Sequence, residues 1–349
     1  MRRALAALLL LGAAPAPMVN GDLLLTTDAP RLADYGLFDA TGSPAPGVRP
    51  YTLGTPLFSD HAEKYRFVWM PPGAQAQYRD RGTLAFPIGT VLIKRFGFPA
   101  DLRRPMDKVT MVETRLLIHR PAGWVALSYV EEPGGAVLRR AGKRIPVRVT
   151  GHDGGPLAID YAVPNQNQCK QCHQAGEAIT PIGPTAGNLN HGLFGKGSSQ
   201  LAVWQAEGRL AGLPAANWPR LARWDDPSEP LEARARAYLA VNCGHCHNRA
   251  GFASNSGLYL DPEETTPAHL GVLKRPVAAG RGSGGREFSI LPGQPDRSIL
   301  LHRMESNEPG IMMPQFGRSM VHSDGVALIR QWISAMRISA TGPAPAPAG

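Results

Sequence analysis

At 349 residues the chain has room for two or three modest domains. Its composition, 43% hydrophobic and 19% charged, is that of an ordinary globular protein, and 39 glycines with 33 prolines predict abundant loops. The formal charge is +9, but no Lys/Arg run exceeds two residues and none is interleaved with aromatics, which argues against nucleic-acid binding.

The chain opens with Met1-Arg2-Arg3 and an apolar stretch from Ala4 to Ala14. That is a charged n-region and an h-region too short to span a bilayer, so residues 1–20 are expected to be a signal peptide. Pro17 after Ala16 makes a poor cleavage site. Export to the periplasm or beyond is expected, with no transmembrane segment in the mature protein.

Residues 21–224 are expected to form a β-rich domain. Short alternating runs recur at 65–70, 90–96, 110–119, 124–130, 145–150 and 158–163, separated by turn signals such as Pro71-Pro72-Gly73 and Pro121-Ala122-Gly123. Several short strands at this spacing predict an antiparallel sheet or sandwich. Ser198 to Leu210 has helical spacing, and Asn217-Trp218-Pro219 to Asp226 reads as a linker. A second domain is expected over 225–340. It starts with a helix near Asp226-Pro227 that runs into Cys243, and ends with another from Ser323-Asp324 carrying Val326, Ile329, Trp332 and Ile333. The Pro/Ala-rich tail, 341–349, is expected to be disordered.

Two pentapeptides use all four cysteines: Cys169-Lys170-Gln171-Cys172-His173 and Cys243-Gly244-His245-Cys246-His247. Cys-x-x-Cys-His is the attachment signature of c-type haem. Two thiols add across the haem vinyl groups, and the adjacent imidazole, His173 or His247, becomes the proximal iron ligand. A zinc site is the rival, but its two Cys pairs usually lie about 15–20 residues apart, far closer than here. A thioredoxin-like pair would sit near a βαβ pattern, and a disulfide framework belongs to short cysteine-dense chains. Two covalently attached haem c groups are therefore expected, on Cys169, Cys172 and His173 and on Cys243, Cys246 and His247. Loss of Arg2 and Arg3 leaves about +7, and four haem propionates lower this to about +3. A mildly positive rim suits an acidic redox partner protein.

The leading helix into Cys243, the stretch Leu291-Pro292-Gly293-Gln294-Pro295-Asp296-Arg297-Ser298 and the closing helix with Trp332 resemble a class I cytochrome c domain of the kind found in planctomycete-type secreted proteins. The Gly- and Arg-rich insert Gly280 to Arg286 departs from that pattern and reads as a mobile loop. The resemblance implies a methionine on the iron of His247. Gly310-Ile311-Met312-Met313-Pro314 sits in the expected place, and Met313 is the choice, with Met312 and Met320 as rivals. Core packing is the ordinary role of any one of them.

No methionine lies between His173 and the second motif. The sixth ligand there is His191, Met111, His119, or none, and an iron with a free position can bind small molecules. The run Phe86 to Lys94, the strand Val109 to Ile118 and Gly123-Trp124 before the motif resemble the cytochrome c prime-beta family and its hydroxylamine-oxidising relatives. In the latter a lysine is cross-linked to haem, which would make Lys94 its counterpart. Glu113 and Arg115 share one strand face. They are either an acid/base and polarising pair, or a solvated or propionate-anchoring pair.

As a whole the chain resembles secreted bacterial di-haem c-type cytochromes of unassigned function. The expected fold is α+β: an N-terminal antiparallel β-sheet or sandwich carrying one c-type haem, then an all-α class I cytochrome c domain with the second. The expected function is electron transfer with a redox partner. The alternatives are a haem-dependent oxidoreductase acting on peroxide or nitrogen oxides, and a gas-binding haem sensor.

Overall fold

Alternating apolar residues from six runs of chain pair into one antiparallel sheet. The computed structural model describes residues 18–337. After the short helix α1 (Gly21–Thr26), strands β1 (Arg49–Tyr51) and β2 (Glu63–Trp69) lead to β3 (Ala76–Gln77), which leaves the sheet to pair elsewhere. The sheet resumes with β4 (Val91–Pro99), β5 (Val109–Arg120), β6 (Gly123–Glu132) and β7 (Gly135–Leu138), in the order β1-β2-β4-β5-β6-β7. A separate hairpin, β8 (Lys143–Thr150) and β9 (Pro156–Val163), follows.

The two faces of the sheet follow from the two-residue period of a strand. Val91, Ile93, Leu116, Ile118, Leu127 and Tyr129 pack under the N-terminal segment, against Leu24, Tyr35 and Leu37. The opposite face carries two apolar clusters. Val68 and Leu92 meet Leu189, Leu201 and Trp204 at one end. Phe96, Phe98 and Val112 meet Ile159 and Tyr161 of the hairpin at the other. Between these clusters the same face bears Arg66, Lys94 and Arg115.

Helix α2 (Gln166–His173) starts at Asn165, whose side chain accepts from Gln168 N while Gln168 Oε1 accepts from Asn165 N. This reciprocal cap is the usual start of a short helix. Strands β10 (Gln174–Ala175) and β11 (Ala178–Ile179) make a small hairpin, then come α3 (Ala186–Leu189), α4 (Gln200–Ala206) and β12 (Leu210–Ala211), which pairs with β3. The last part holds α5 (Leu231–Asn242), α6 (Ile299–Glu305) and α7 (Ser323–Ala335), joined around Tyr238, Leu301, Ile329 and Trp332.

The expected fold class is corrected here. The regular structure is mostly sheet, with seven helices and a large antiparallel sheet, and no all-α class I cytochrome c domain is evident among the described residues. Between α5 and α6 the chain runs from Cys243 to Ser298 through turns and three 3₁₀ turns. Its glycines and prolines exclude longer helices. This part is also tied to the sheet. Asp60 is 1% exposed, and its carboxylate accepts from Ser319 N at 2.8 Å, Ser319 Oγ at 2.9 Å and Met320 N at 3.0 Å. Asn242 Oδ1 accepts from Phe58 N at 2.8 Å. Within the Gly280 to Arg286 insert, Gly280–Ser283 form a 3₁₀ turn whose Gly282 lies against Arg303 of α6. The signal peptide lies almost wholly outside the described residues, and the tail 341–349 wholly so. No helix among the described residues is long and apolar enough to cross a membrane.

Candidate functional site

The two pentapeptides are shaped differently and meet. In α2, Cys169, Cys172 and His173 fall at i, i+3 and i+4, which puts them on one helix face. In the second motif α5 ends at Asn242, and a single turn follows in which His247 N donates to Cys243 O at 2.9 Å. Gly244 is required there. A Cβ at that position would lie 2.6 Å from Ala240 O and 3.0 Å from Leu260 O.

All four cysteines are free thiols. Cys172 and Cys246 approach each other, and their interaction draws the Cys172 thiol well down while it pushes that of Cys246 up. The ligand atoms of Cys172, His245 and Cys246 all lie within 4.8 Å of one another. Cys169 is buried, and desolvation raises its pKa against the pull of Arg115.

Both terminal histidines of the motifs are held by one ring nitrogen. His173 Nδ1 is 2.8 Å from Thr180 O, and His247 Nδ1 is 3.1 Å from Ser256 Oγ. Burial lowers each to about 4, so both are neutral at pH 7. A neutral imidazole fixed through Nδ1 offers Nε2 as a ligand.

Two adjoining cavities open beside the motifs. One, of about 360 Å³, is lined by Cys246, His247, Phe252, Leu260, Met304 and Met313. The other, of about 220 Å³, is lined by Cys172, His173, Arg66, Lys94, Arg115 and His322 among others. Cys172, Cys243, His245, Met304 and Met313 border both.

Of the expected ligands for the second motif, Met313 shares the cavity of His247, whereas Met312 lines neither and Met320 packs against the hairpin core. Met304, on α6, reaches both cavities and was not singled out from sequence. None of the three residues considered opposite His173 borders its cavity. His191 contacts Gln200 Nε2 at 3.3 Å, His119 stacks on Trp124 at 4.5 Å, and Met111 lies beside Gly97. Two other histidines border it: His245 of the second motif, and His322, stacked on Phe58 at 4.1 Å with Nδ1 3.0 Å from Tyr238 Oη.

Glu113 and Arg115 do share one face, but Glu113 is 0% exposed, so the pair is not a solvated one. Arg115 donates to both carboxylate oxygens, at 2.6 and 2.8 Å, and Tyr161 Oη donates to Oε2 at 2.6 Å. Burial pulls Arg115 down, but the Glu113 carboxylate prevails and holds the guanidinium above its ordinary value. Arg115 faces the cavity and Glu113 does not. Lys94 also faces it, its ammonium over the Phe96 ring at 4.8 Å, and burial with the adjacent Arg66 and Arg115 pushes its pKa well down.

No protein-family model, curated protein or solved structure matches this chain.

Proposed function

We propose that the chain is an exported di-haem c-type protein that transfers electrons between its two haems and a redox partner. The observation that carries the reading is the pair of Cys-x-x-Cys-His motifs in which each terminal imidazole is neutral, fixed through Nδ1 and set beside a cavity. The donor set suits the group: free thiols for thioether bonds, an imidazole nitrogen for iron, and largely apolar cavity walls for a porphyrin. Bound haem would supply one-electron chemistry.

The chain's own contribution is positioning. Cys169, Cys172 and His173 hold one group, and Cys243, Cys246 and His247 hold the other. Met313, which lines the cavity of His247, would be the second axial donor to a bound haem, where a thioether would favour ferrous iron and raise the potential. The contact of Cys172 with Cys246 brings the two attachment points together, which favours direct transfer between them. The contacts that fix His173 to Thr180 O and His247 to Ser256 Oγ would limit reorganisation of the ligands.

Expression with a c-type maturation system should give a protein heavier by two haems, and reduced spectra should show two c-type centres. Cys169→Ser with Cys172→Ser, and Cys243→Ser with Cys246→Ser, should each remove one. Unchanged mass in the wild-type protein refutes the reading.

A second reading rests on Cys172, His245 and Cys246, whose spacing suits a metal ion such as zinc. It predicts one metal per chain by elemental analysis, no covalent haem, and loss of the metal in Cys172→Ser.

A further inference from the structure

Strand register places three cations side by side. Arg66 of β2 lies opposite Lys94 of β4, and Lys94 lies opposite Arg115 of β5. Neighbouring strands are about 4.8 Å apart, and like charges directly opposite are destabilising. Lys64, two residues before Arg66, adds a fourth cation to this face.

Protein carboxylates offset these charges only in part: Glu63 neighbours Lys64 and Arg66 but forms no ion pair with either among the described residues. Glu113 is fully engaged by Arg115 and Tyr161. Asp60 is engaged by Ser319 and Met320. Arg66 is 8% exposed. Its Nη1 donates to Lys64 O at 3.2 Å, and its Nη2 is buried with no hydrogen-bond partner among the described residues. Lys94 makes no ion pair among the described residues, and the Phe96 ring beside it softens its charge without cancelling it. Among the described residues the cavity of His173 is lined by Arg66, Lys94, Arg115 and Arg318 and by no carboxylate. Arg318 is accounted for, since it donates to Asn307 and to several main-chain carbonyls.

We infer that the row Arg66–Lys94–Arg115 is a binding site for an anionic oxygen group in the cavity beside His173. Arg66 and Lys94 are its two uncommitted donors, and Arg115, braced by Glu113, fixes the edge of the site. Two sources supply such a group: a propionate of a haem on Cys169 and Cys172, or a free small oxyanion. The propionate source rests on the haem reading above, whereas the free-oxyanion source does not.

The test uses the full-length mature protein, with haem content first measured by intact mass. Inorganic phosphate is titrated by calorimetry into the wild-type protein, Arg66→Gln, Lys94→Gln, Lys94→Arg and the exposed control Lys196→Gln. The potential of each haem is measured in the same set. If the site takes a free oxyanion, phosphate binds the wild type and Lys94→Arg. Its affinity then falls at least tenfold in Arg66→Gln and Lys94→Gln, whether or not haem is present. If the site holds a propionate, phosphate does not bind, and one haem potential falls in Arg66→Gln and Lys94→Gln but not in Lys196→Gln. Either result supports the site. The inference is overturned if phosphate does not bind, no potential moves, and Lys94→Gln is at least as stable to urea as the wild type. That combination would mean the row is simply unrelieved repulsion. Absence of haem would refute the haem reading while leaving the phosphate titration decisive for this one.

Discussion

Glu113→Gln removes the carboxylate that pairs with Arg115 at the edge of the cation row. The change keeps size and shape but leaves Arg115 charged in a largely buried setting. Removing one partner of a buried ion pair costs about 3–5 kcal/mol. The Arg115 side chain is 26% exposed toward the cavity, which argues for the lower end, about 3 kcal/mol. Tyr161 loses a charged acceptor but keeps a neutral one, adding about 0.5 kcal/mol. A total loss of about 3.5 kcal/mol corresponds to a fall in Tm of about 7–14 °C, on the scale for domains of a few hundred residues. Urea unfolding and thermal melts at pH 7 read it directly. The double variant Glu113→Gln/Arg115→Met removes the stranded charge and should recover at least half of the loss. A single variant within about 1 kcal/mol of wild type, on the ordinary scale for harmless substitutions, would refute the account, as would a double variant no better than the single.

Asp60→Ala should cost about 3–4 kcal/mol, because it strips a charged acceptor from two main-chain amides and a hydroxyl, and urea unfolding should show it. Met313→Ala should lower one of two haem potentials and leave the other in place, and unchanged potentials would remove Met313 as a ligand. His322 is held near 4 by burial, below the 6.5 of a free imidazole, so the unfolded chain takes up its proton first as pH falls. Its contribution is therefore present above pH 6.5 and is lost between 6.5 and about 4, by roughly 2 kcal/mol after discounting for partial exposure. His322→Phe, which keeps the stack on Phe58, should flatten that part of the stability–pH curve.

The strands were legible because each carries a two-residue period strong enough to read without context. The runs at 90–96, 110–119, 124–130, 145–150 and 158–163 all fall on β4, β5, β6, β8 and β9. Helices α5 and α7 were legible from apolar spacing and from the chain's own punctuation. What failed was the inference from those two helices to a whole all-α domain. The 55 residues between Cys243 and Ile299 hold turns fixed by glycine contacts and side-chain hydrogen bonds, and periodicity carries no record of those. The role of Asp60 is not legible in the sequence, since its partners Ser319 and Met320 lie 259 and 260 residues away. The residues across from His173 were missed for a similar reason. His322 comes from the far end of the chain, and Arg66 is unremarkable until register sets it beside Lys94. A signal for the row did exist: β2, β4 and β5 each interrupt an apolar face with a cation near mid-strand, where a buried face ordinarily has none.

The Asp60 staple has a consequence for the order in which the molecule can be completed. Its hydrogen bonds span 259 and 260 residues, so the loop they close is nearly the length of the described chain. The cavity of His173 takes its walls from Arg66 and Lys94 early in the sequence and from Arg318 and His322 late. During synthesis, the first motif therefore emerges well before the segment that encloses it. Contacts of such high sequence separation are slow to form, and loop-closure entropy opposes them until the final helix is available. The first pocket stands with one side missing until the C-terminal segment docks, which leaves its thiols accessible until that last step.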